Sequence, residues 1–282
     1  MDIPPDKFIS ICSGAGGLDI GIKRGSGNRV LPVCYVENEL TAASILATRM
    51  EEARLPAAPI WTDITTFDFS AWKGVEGIAG GYPCTPFAHN GKRLGTSDSR
   101  FIWTYIARGI ETIRPIWCFF ENVPTHLGSG FIEVSKDLFS LGYEVAATLV
   151  SAQEVGASHD RERLFVLAVE RSALANANKI RDKKRVSNIN ETSRSGSYVD
   201  ISYNYPPRPQ SEDWRKIPAN LQPSLPKSEF RRVVNGVGDR VDLSRIDRIT
   251  ILGNGVVPNQ AAYAWIELWN ELSAVREGAF RV

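Results

Sequence analysis

Residues 8–17, FISICSGAGG, join an apolar run to a glycine-rich turn. The apolar run predicts a buried strand, and the turn predicts the start of a helix that continues through about Ile22. A glycine-rich turn at the beginning of a helix is typical of folds that bind nucleotides. In the dinucleotide fingerprint G-x-G-x-x-G, however, the third glycine would fall on Asp19. Because a carboxylate in the first helical turn is a poor neighbour for a pyrophosphate, we expect a nucleoside ligand without phosphates.

The next two predicted strands each lead to an acidic residue. Residues 30–36 form an apolar run that ends at Glu37, and residues 60–62 form a shorter one that ends at Asp63 and Ile64. An acid at the tip of the second strand is the group that hydrogen-bonds a ribose hydroxyl in doubly wound folds. Asp63 and Ile64 suit the amino group and the apolar face of an adenine. An isolated acid is more often a helix cap, but here three successive strands each lead to a group that can contact a ligand.

The stretch 80–87, GGYPCTPF, follows a fourth short predicted strand and places Cys84 between two prolines. Prolines fix φ and exclude helix, so the thiol is expected to point in one direction at the edge of the sheet. The polar loop that follows carries Lys92, Arg93 and Arg100. Nearby cations favour the thiolate, which is the reactive form of cysteine. Cys84 is therefore a candidate nucleophile, although most isolated cysteines are small buried apolar residues.

Glu121 follows directly after residues 116–120, a run of five apolar side chains that predicts a strand buried on both faces. A carboxylate in that position is expected to be partly desolvated, which favours its protonated form. Glu121 is therefore a candidate general acid, with capping of the next helix as the alternative. Further along, Arg161 and Arg163 lie on one face at the start of another predicted strand. From there they could reach a base or a phosphate through two parallel hydrogen bonds.

The composition is that of an ordinary globular chain. With 282 residues, 43% hydrophobic and 23% charged, it is long enough for one large α/β domain and a smaller one. No apolar run reaches the roughly 18 to 20 residues of a membrane span, and the first residues lack the features of a signal peptide, so we expect a cytoplasmic protein. The four cysteines show no C-x-x-C spacing, which favours reduced thiols over a disulfide framework or a zinc site.

A loop-rich segment interrupts the α/β pattern between about 171 and 232. Residues 171–248 contain 16 Lys and Arg against 9 Asp and Glu, in a chain whose net charge is only +1. Basic residues interspersed with Tyr and Trp suit a surface that binds a polyanion, although a solvated basic loop would have the same composition. A regular helix from Pro258 to about Arg276 then returns to the first domain. We therefore divide the chain into 1–170, an insert domain at 171–232, and a return to the first domain at 233–282.

Taken in order, these motifs resemble those of the DNA cytosine-5 methyltransferases, over residues 8–169 and 231–272. The stretches that carry the resemblance are the glycine loop at 8–17, the ribose acid Glu37, the adenine contacts Asp63-Ile64, the nucleophile motif at 81–87, the acid motif Glu121-Asn122-Val123, the arginine motif Arg161-Glu162-Arg163, and the closing cofactor motif at 253–258. The resemblance implies a class I AdoMet-dependent methyltransferase fold, a Rossmann-like doubly wound α/β sheet with a loop-rich target recognition domain at the insert. It implies S-adenosylmethionine as the methyl donor and no metal.

The resemblance also implies a reaction and its residues. A methyl group would be transferred to the 5-carbon of a cytosine flipped out of duplex DNA, through a covalent adduct with Cys84. Glu121 would supply a proton at ring nitrogen 3, and Arg163 would contact the 2-carbonyl oxygen. The catalytic residues implied are Cys84, Glu121, Arg161 and Arg163. The cofactor contacts implied are Phe8, Cys12, Ser13, Gly14, Gly16, Gly17, Glu37, Asn38, Asp63, Ile64, Gly81, Pro83, Asn254 and Val256. The DNA contacts implied are Lys92, Arg93, Arg100, Arg231 and Arg232.

Four positions depart from the family's usual pattern. Thr85 and Ala88 stand where Gln and Ser are usual, and His159 stands where Gln usually precedes the arginines. Asn38 stands where an apolar or aromatic residue usually stacks on the adenine. These departures bear on cofactor affinity and loop closure. They leave the reaction type unchanged, because none removes a chemical group that the reaction requires.

Three alternatives and the expected partners complete the interpretation. One subfamily with this core methylates transfer RNA, so an RNA cytosine-5 methyltransferase is the first alternative. A non-catalytic DNA-binding relative would generally lack the nucleophile or the acid, and Asn254 disfavours transfer of a group other than methyl. The expected partner is double-stranded DNA, bound by a monomer without membrane contact. A cognate restriction endonuclease is a candidate partner, while the short chain and the Asn/Pro-rich insert favour a solitary phage or prophage type.

Overall fold

The computed structural model describes residues 6–83, 99–128, 130–175 and 254–274, and these alternate between strands and helices as the sequence predicts. The strands are β1 (Asp6–Ile11), β2 (Val30–Val36), β3 (Ile60–Trp61), β4 (Gly77–Gly80), β5 (Trp117–Asn122), β6 (Tyr143–Ser151) and β7 (Glu162–Glu170). The helices are α1 (Gly17–Gly25), α2 (Leu40–Glu51), α3 (Ser99–Ile113), α4 (Phe131–Ser140) and, as α5, Pro258–Ala274. Within these residues no helix has the length and apolar character needed to cross a membrane.

The described strands form one sheet in the order β3-β2-β1-β4-β5-β7-β6. The first five are parallel, and β7 runs antiparallel to both β5 and β6. The chain moves outward from β1 through β2 to β3 and then returns to β4 on the other side of β1. Open α/β sheets bind their ligands at the carboxyl ends of the strands where the order reverses in this way. The predicted doubly wound α/β architecture is confirmed, and the switch point lies between β1 and β4.

Helices cover both faces of the sheet, because the central strand β5 is apolar at consecutive positions. Phe119 packs edge-on against Trp265 of α5, with ring centroids 5.3 Å apart. Its neighbour Phe120 points to the opposite face and packs against Trp103 of α3 at 5.6 Å. Successive residues of a strand alternate between faces, so a continuously apolar strand needs a layer on each side. Helices α1 and α5 supply one layer and α3 and α4 the other.

The contact between α1 and α5 depends on a row of glycines. Gly17, Gly21 and Gly25 are spaced four residues apart and therefore share one face of α1. A Cβ atom on Gly21 would lie 2.4 Å from the Cβ of Ala261 and 2.7 Å from the carbonyl oxygen of Pro258. Only a side chain as small as that of glycine allows this approach. The consequence is that the segment just before α5 lies against the glycine-rich turn that begins α1.

Strand β5 is longer than the sequence predicts. The apolar run suggested a strand that ends before Glu121, but the strand continues through Glu121 and Asn122. These two residues pair with Phe165 and Leu164 of the antiparallel strand β7. Glu121 therefore has a rigid, hydrogen-bonded backbone.

Candidate active site

A cleft lies at the carboxyl ends of β1 and β4, at the switch point of the sheet. Its walls are the glycine-rich turn, the end of β4, Glu121 and the segment before α5. The lining residues are Ser10, Cys12, Ser13, Gly14, Ala15, Gly17, Leu18, Gly80, Gly81, Glu121, Asn254, Gly255 and Val256. Among the cofactor contacts expected from the sequence, those that line the cleft are Cys12, Ser13, Gly14, Gly17, Gly81, Asn254 and Val256.

The glycine-rich turn uses left-handed backbone conformations. Gly14 has φ 53° and Gly16 has φ 75°, and the N–H of Gly16 donates to the carbonyl of Ser13 at 2.9 Å. Cys12 also has a positive φ, 49°, although it carries a side chain. Non-glycine residues in this region are uncommon and gather at binding sites, so the position of Cys12 at the cleft is consistent with a functional turn. Burial raises the pKa of the Cys12 thiol to about 12, which keeps it neutral and unreactive.

Glu37 ties the end of β2 to this turn. Its Oε2 accepts a hydrogen bond from the N–H of Gly14 at 2.6 Å, and its Oε1 accepts one from the N–H of Glu39 at 2.8 Å. Burial raises the pKa of the Glu37 carboxyl, while these backbone donors counteract the shift. A carboxylate oxygen accepts more than one hydrogen bond. Glu37 can therefore hold the turn and still accept a hydrogen bond from a ribose hydroxyl beside the cleft.

The segment 254–256 forms the opposite wall. A Cβ atom on Gly17 would lie 2.3 Å from the carbonyl oxygen of Val256, so the start of α1 contacts this wall directly. From the other side, Nη2 of Arg161 donates to the carbonyl of Gly255 at 2.6 Å. The wall is therefore held between α1 and Arg161. The sequence led us to expect Arg161 at a base or phosphate, and the structure instead places its guanidinium on the cleft wall.

Glu121 and Arg163 form a largely buried ion pair at the cleft. Nε of Arg163 lies 3.0 Å from Oε1 of Glu121, and a Cβ atom on Gly81 would lie 3.2 Å from Oε2. Burial raises the pKa of Glu121 to about 7, although the cations of Arg163 and Arg161 counteract the shift. A carboxyl group with that pKa is present in both forms near neutrality, so it can give up and take back a proton. The sequence predicted the desolvation of Glu121, whereas its ion pair with Arg163 was not predicted.

Tyr82 is hydrogen-bonded at its backbone to the strand that carries Glu121 and at its hydroxyl to the segment that follows this strand. Its carbonyl accepts a hydrogen bond from Nδ2 of Asn122 at 3.1 Å, and its hydroxyl lies 2.9 Å from Nε2 of His126. All three residues are buried. Pro83 follows as an exposed residue. The chain that leads toward Cys84 therefore starts from a fixed point beside Glu121.

Asp19 does not face the cleft. It is fully buried beneath the turn, and it is attracted by the guanidinium of Arg49, whose Nη1 donates to the carbonyl of Ala15. Burial raises the pKa of the Asp19 carboxyl to about 6. The expectation that this carboxylate disfavours a phosphate by lying next to the ligand is therefore wrong, because its position on the helix turns it into the core.

Several other predicted cofactor residues lie away from the cleft lining. Phe8 is a correction: its side chain is fully buried and packs against Trp117 with ring centroids 5.5 Å apart. Ile64 is buried in the core, and the Asp63 carboxylate caps its own turn by accepting a backbone N–H at 2.8 Å. Asn38 is exposed. The last three residues follow the ends of β2 and β3, beside the cleft, whereas the side chain of Phe8 faces the helical layer.

The remaining predicted residues are only partly covered by the structure. Arg100 lies in the first turn of α3. The residues that fall outside the described ranges are Cys84, Lys92, Arg93, Arg231 and Arg232.

Three residues near the cleft were not predicted from the sequence. Ser10 lines the cleft, although it lies within the apolar run of β1. His126 and Gln260 are buried polar residues that hydrogen-bond to the elements around the cleft. For Gln260 a signal was present, because Asn259 and Gln260 are polar residues directly before the mostly apolar run 261–266 of the helix.

A family model described as C-5 cytosine-specific DNA methylase matches residues 7–230. The type II methyltransferase M1.ScrFI of Lactococcus lactis subsp. cremoris is 34% identical over 152 residues, 50% of this chain and 38% of that protein. The type II methyltransferase M.Eco47II of Escherichia coli is 27% identical over 242 residues, 76% of this chain and 55% of that protein. The matched part of the chain thus spans 38% and 55% of the length of these two relatives.

Solved structures of methyltransferases match over nearly the whole chain. The Dnmt2 methyltransferase of S. pombe has a TM-score of 0.62 and 16% sequence identity, covering 94% of this chain and 99% of that chain. At this level of identity the likeness establishes the fold alone. It agrees with the α/β fold described above.

Proposed function

This chain belongs to the C-5 cytosine-specific DNA methylase family, and we propose that it transfers a methyl group from S-adenosylmethionine to the 5-carbon of cytosine in duplex DNA. The observation that carries the proposal is the Glu121–Arg163 pair, which lies 3.0 Å apart at the same cleft as the glycine-rich turn. A proton donor and a nucleoside site in one cleft are what methylation of a ring carbon requires.

The chemistry of the cleft lining supports the methyl donor as the ligand. Among its described lining residues, the ionisable side chains are Cys12 and Glu121, and none is cationic. The guanidinium groups of Arg161 and Arg163 are bound to the Gly255 carbonyl and to Glu121, and a lining without a cation of its own suits a positively charged nucleoside better than a phosphorylated one. We propose that Glu37 binds the ribose of S-adenosylmethionine. The other parts of the donor are proposed to contact the turn at Ser13 and Gly14 and the wall at 254–256. When bound, S-adenosylmethionine supplies an electrophilic methyl carbon.

The protein's own groups make the cytosine reactive. The 5-carbon of cytosine is a poor nucleophile, and addition of the Cys84 thiolate to the neighbouring 6-carbon makes it enamine-like. Glu121 gives a proton or a strong hydrogen bond to ring nitrogen 3 as negative charge develops there, and Arg163 stabilises the 2-carbonyl oxygen. After methyl transfer, loss of the 5-proton to a base and departure of the thiolate regenerate Cys84. Both forms of Glu121 take part, which agrees with a pKa of about 7.

Access to the ring requires that the base leave the helix. Cys84 must approach the face of the ring, so we propose that cytosine is flipped into the cleft. We further propose that residues 171–232 carry target recognition, with Arg231 and Arg232 on phosphates, and that Lys92, Arg93 and Arg100 contact the DNA beside the flipped base. The local excess of Lys and Arg over residues 171–248 supports this assignment.

Transfer of a tritiated methyl group tests the proposal. The full chain is incubated with labelled S-adenosylmethionine and either duplex DNA or transfer RNA, and bisulfite sequencing of DNA from expressing cells locates the target. Incorporation into duplex DNA at cytosine is expected. Incorporation into RNA alone would establish the RNA alternative, and binding of DNA without any transfer would indicate a non-catalytic relative.

A further inference from the structure

Gln260 is a buried polar residue that has no part in the chemistry proposed above. It lies in the first turn of α5 and is fully buried. Its Nε2 donates to the carbonyl of Val150 at 2.8 Å and to the carbonyl of Arg161 at 2.6 Å. Burying an amide is unfavourable unless it is hydrogen-bonded, so these contacts fix its position. Because Val150 lies near the end of β6 and Arg161 just before β7, Gln260 attaches both ends of the β6–β7 connection to α5.

Arg161 is held by the same part of the chain through its side chain. Nη2 of Arg161 donates to the carbonyl of Gly255 at 2.6 Å. The backbone carbonyl of Arg161 accepts hydrogen bonds from Gln260 and also from the N–H of Ala152, at 2.9 Å. Hydrogen bonds from a charged donor are stronger than those between neutral groups. Residue 161 is therefore held at its backbone by Gln260 and contacts Gly255 through its guanidinium.

The carbonyl that Arg161 holds belongs to the cleft wall. Gly255 lies between Asn254 and Val256, and all three line the cleft. On the other side, the close approach of Val256 to Gly17 prevents the wall from moving toward α1. The hydrogen bond from Arg161 limits separation of this wall from residue 161.

Arg161 is also close in the chain to Arg163, the ion-pair partner of Glu121. Two positions after Arg161, Arg163 pairs with Glu121 at 3.0 Å. Arg161 lies immediately before β7, whereas Arg163 is the second residue of that strand and pairs with Val150 of β6. The hydrogen bonds that hold residue 161 therefore lie beside the Glu121–Arg163 pair without forming part of it.

We propose that Arg161 and Gln260 are positioning residues for the methyl-donor site. Gln260 fixes the backbone of residue 161, and Arg161 holds the carbonyl of Gly255 so that the wall at 254–256 matches the bound donor. This inference rests on the proposed use of S-adenosylmethionine, and it assigns Arg161 to the donor site in place of the base or phosphate contact expected from the sequence. Neither residue touches the reacting atoms, so their loss weakens donor binding before it affects the chemical step.

The test measures binding of S-adenosylhomocysteine to the full chain by calorimetry, without any nucleic acid. The variants are Arg161→Met, Gln260→Leu, the double variant, and Arg161→Lys, which keeps a cationic donor. Arg24→Met is the matched control, because Nη1 of Arg24 donates to Oδ1 of Asn259 at 2.8 Å and so joins α1 to the neighbouring position of α5. Thermal unfolding is recorded for every variant.

We expect the dissociation constant to rise about tenfold for Arg161→Met and for Gln260→Leu, which corresponds to losing one charge-assisted hydrogen bond. The double variant should bind no more than about threefold more weakly than either single variant, because Gln260 acts through Arg161. The dissociation constant of Arg161→Lys for S-adenosylhomocysteine should lie within about threefold of the wild-type value. That of Arg24→Met should lie within about twofold of wild type, even if its unfolding temperature falls as far as that of Arg161→Met. In methyl transfer, the KM for the donor should rise while kcat stays within about threefold.

Three results would overturn the inference: wild-type affinity in Arg161→Met, multiplicative effects in the double variant, or an equal loss in Arg24→Met. If the wild type binds S-adenosylhomocysteine but methylates no DNA, the proposed function fails. The comparison of S-adenosylhomocysteine binding between the variants then still decides this inference. If the wild type does not bind the product at all, the assignment of the cleft to a methyl donor fails and this inference with it.

Discussion

Nε of Arg163 lies 3.0 Å from Oε1 of Glu121, and both side chains are largely shielded from solvent, with 15% and 9% of their surface exposed. The two residues come from antiparallel neighbours in the sheet, β7 and β5, so their relative position is fixed by backbone hydrogen bonds. Burial raises the pKa of Glu121 and Arg163 opposes that shift. With both effects the pKa of Glu121 is about 7, so this carboxyl group changes its charge near neutral pH.

Replacing Glu121 by Gln should lower methyl transfer by about 100-fold or more, because the amide cannot transfer a proton.

The same substitution should change how the stability of the protein depends on pH. The folded pKa of about 7 lies above the value of about 4.3 for an unfolded chain, so this carboxyl favours folding at low pH and the contribution is lost as pH rises through about 7. Thermal unfolding between pH 5 and 8 should therefore show a flatter pH dependence for Glu121→Gln than for wild type.

Glu144→Gln is the matched control for that measurement. Glu144 pairs with Arg171 at 2.9 Å, but both side chains are more than one third exposed. Exposed ion pairs contribute little to the free energy of unfolding. The unfolding curve of Glu144→Gln should therefore match that of wild type at every pH. If Glu144→Gln and Glu121→Gln alter the pH dependence equally, the effect does not come from the buried acid.

Replacing Cys84 by Ser should reduce methyl transfer by about 1,000-fold or more, because a hydroxyl is a much weaker nucleophile than a thiolate. Binding of S-adenosylhomocysteine and of DNA should stay within about twofold of wild type. Cys34→Ala is the control, since Cys34 is buried in the core and burial raises the pKa of its thiol to about 11. Methyl transfer by Cys84→Ser at the wild-type rate would refute the assignment of the nucleophile.

Replacing Tyr82 by Phe should remove the hydrogen bond to His126 while the ring stays packed against Trp103 and Phe120. We expect a loss of about 1 kcal/mol in the free energy of unfolding. Single-turnover methyl transfer should fall about fivefold or more with unchanged product binding, because Tyr82 is the fixed point two residues before Cys84.

Tyr143→Phe controls for the loss of a buried hydroxyl. The hydroxyl of Tyr143 donates to the carbonyl of Pro115 at 2.6 Å, far along the chain from Cys84. The Tyr143→Phe variant should lose about as much free energy of unfolding as Tyr82→Phe and keep the wild-type rate of methyl transfer. Equal rate losses in the two variants would show that Tyr82 acts only through general stability.

Replacing Gly21 by Ala should destabilise the protein despite the better helix propensity of alanine. The new Cβ atom would lie 2.4 Å from that of Ala261, and overpacking of this kind costs about 1 to 3 kcal/mol. Moving α5 away from α1 should also weaken binding of S-adenosylhomocysteine, which calorimetry measures. Gly128→Ala, where nothing lies within 4 Å of the added atom, should be nearly neutral in both measurements.

The elements that follow from local patterns were predictable from the sequence. The apolar run and glycines at 8–17 are sufficient for a strand, a turn and a helix, because each depends only on neighbouring residues. The same holds for Glu37, which directly follows the apolar run of β2, although β5 continues through Glu121 after a similar run. These local signals, taken in order, carried the family resemblance that implied the doubly wound sheet.

What the sequence alone determined was therefore which side chains come to the carboxyl edge of the sheet. Only the tertiary structure decided what each one contacts: Arg163 rather than Arg161 meets Glu121, Asp19 turns into the core, and Phe8 packs against Trp117. The physical reason is that partner choice depends on strand order, on register and on the approach of α5 to α1. All three arise between segments that are distant along the chain, and no local pattern encodes them.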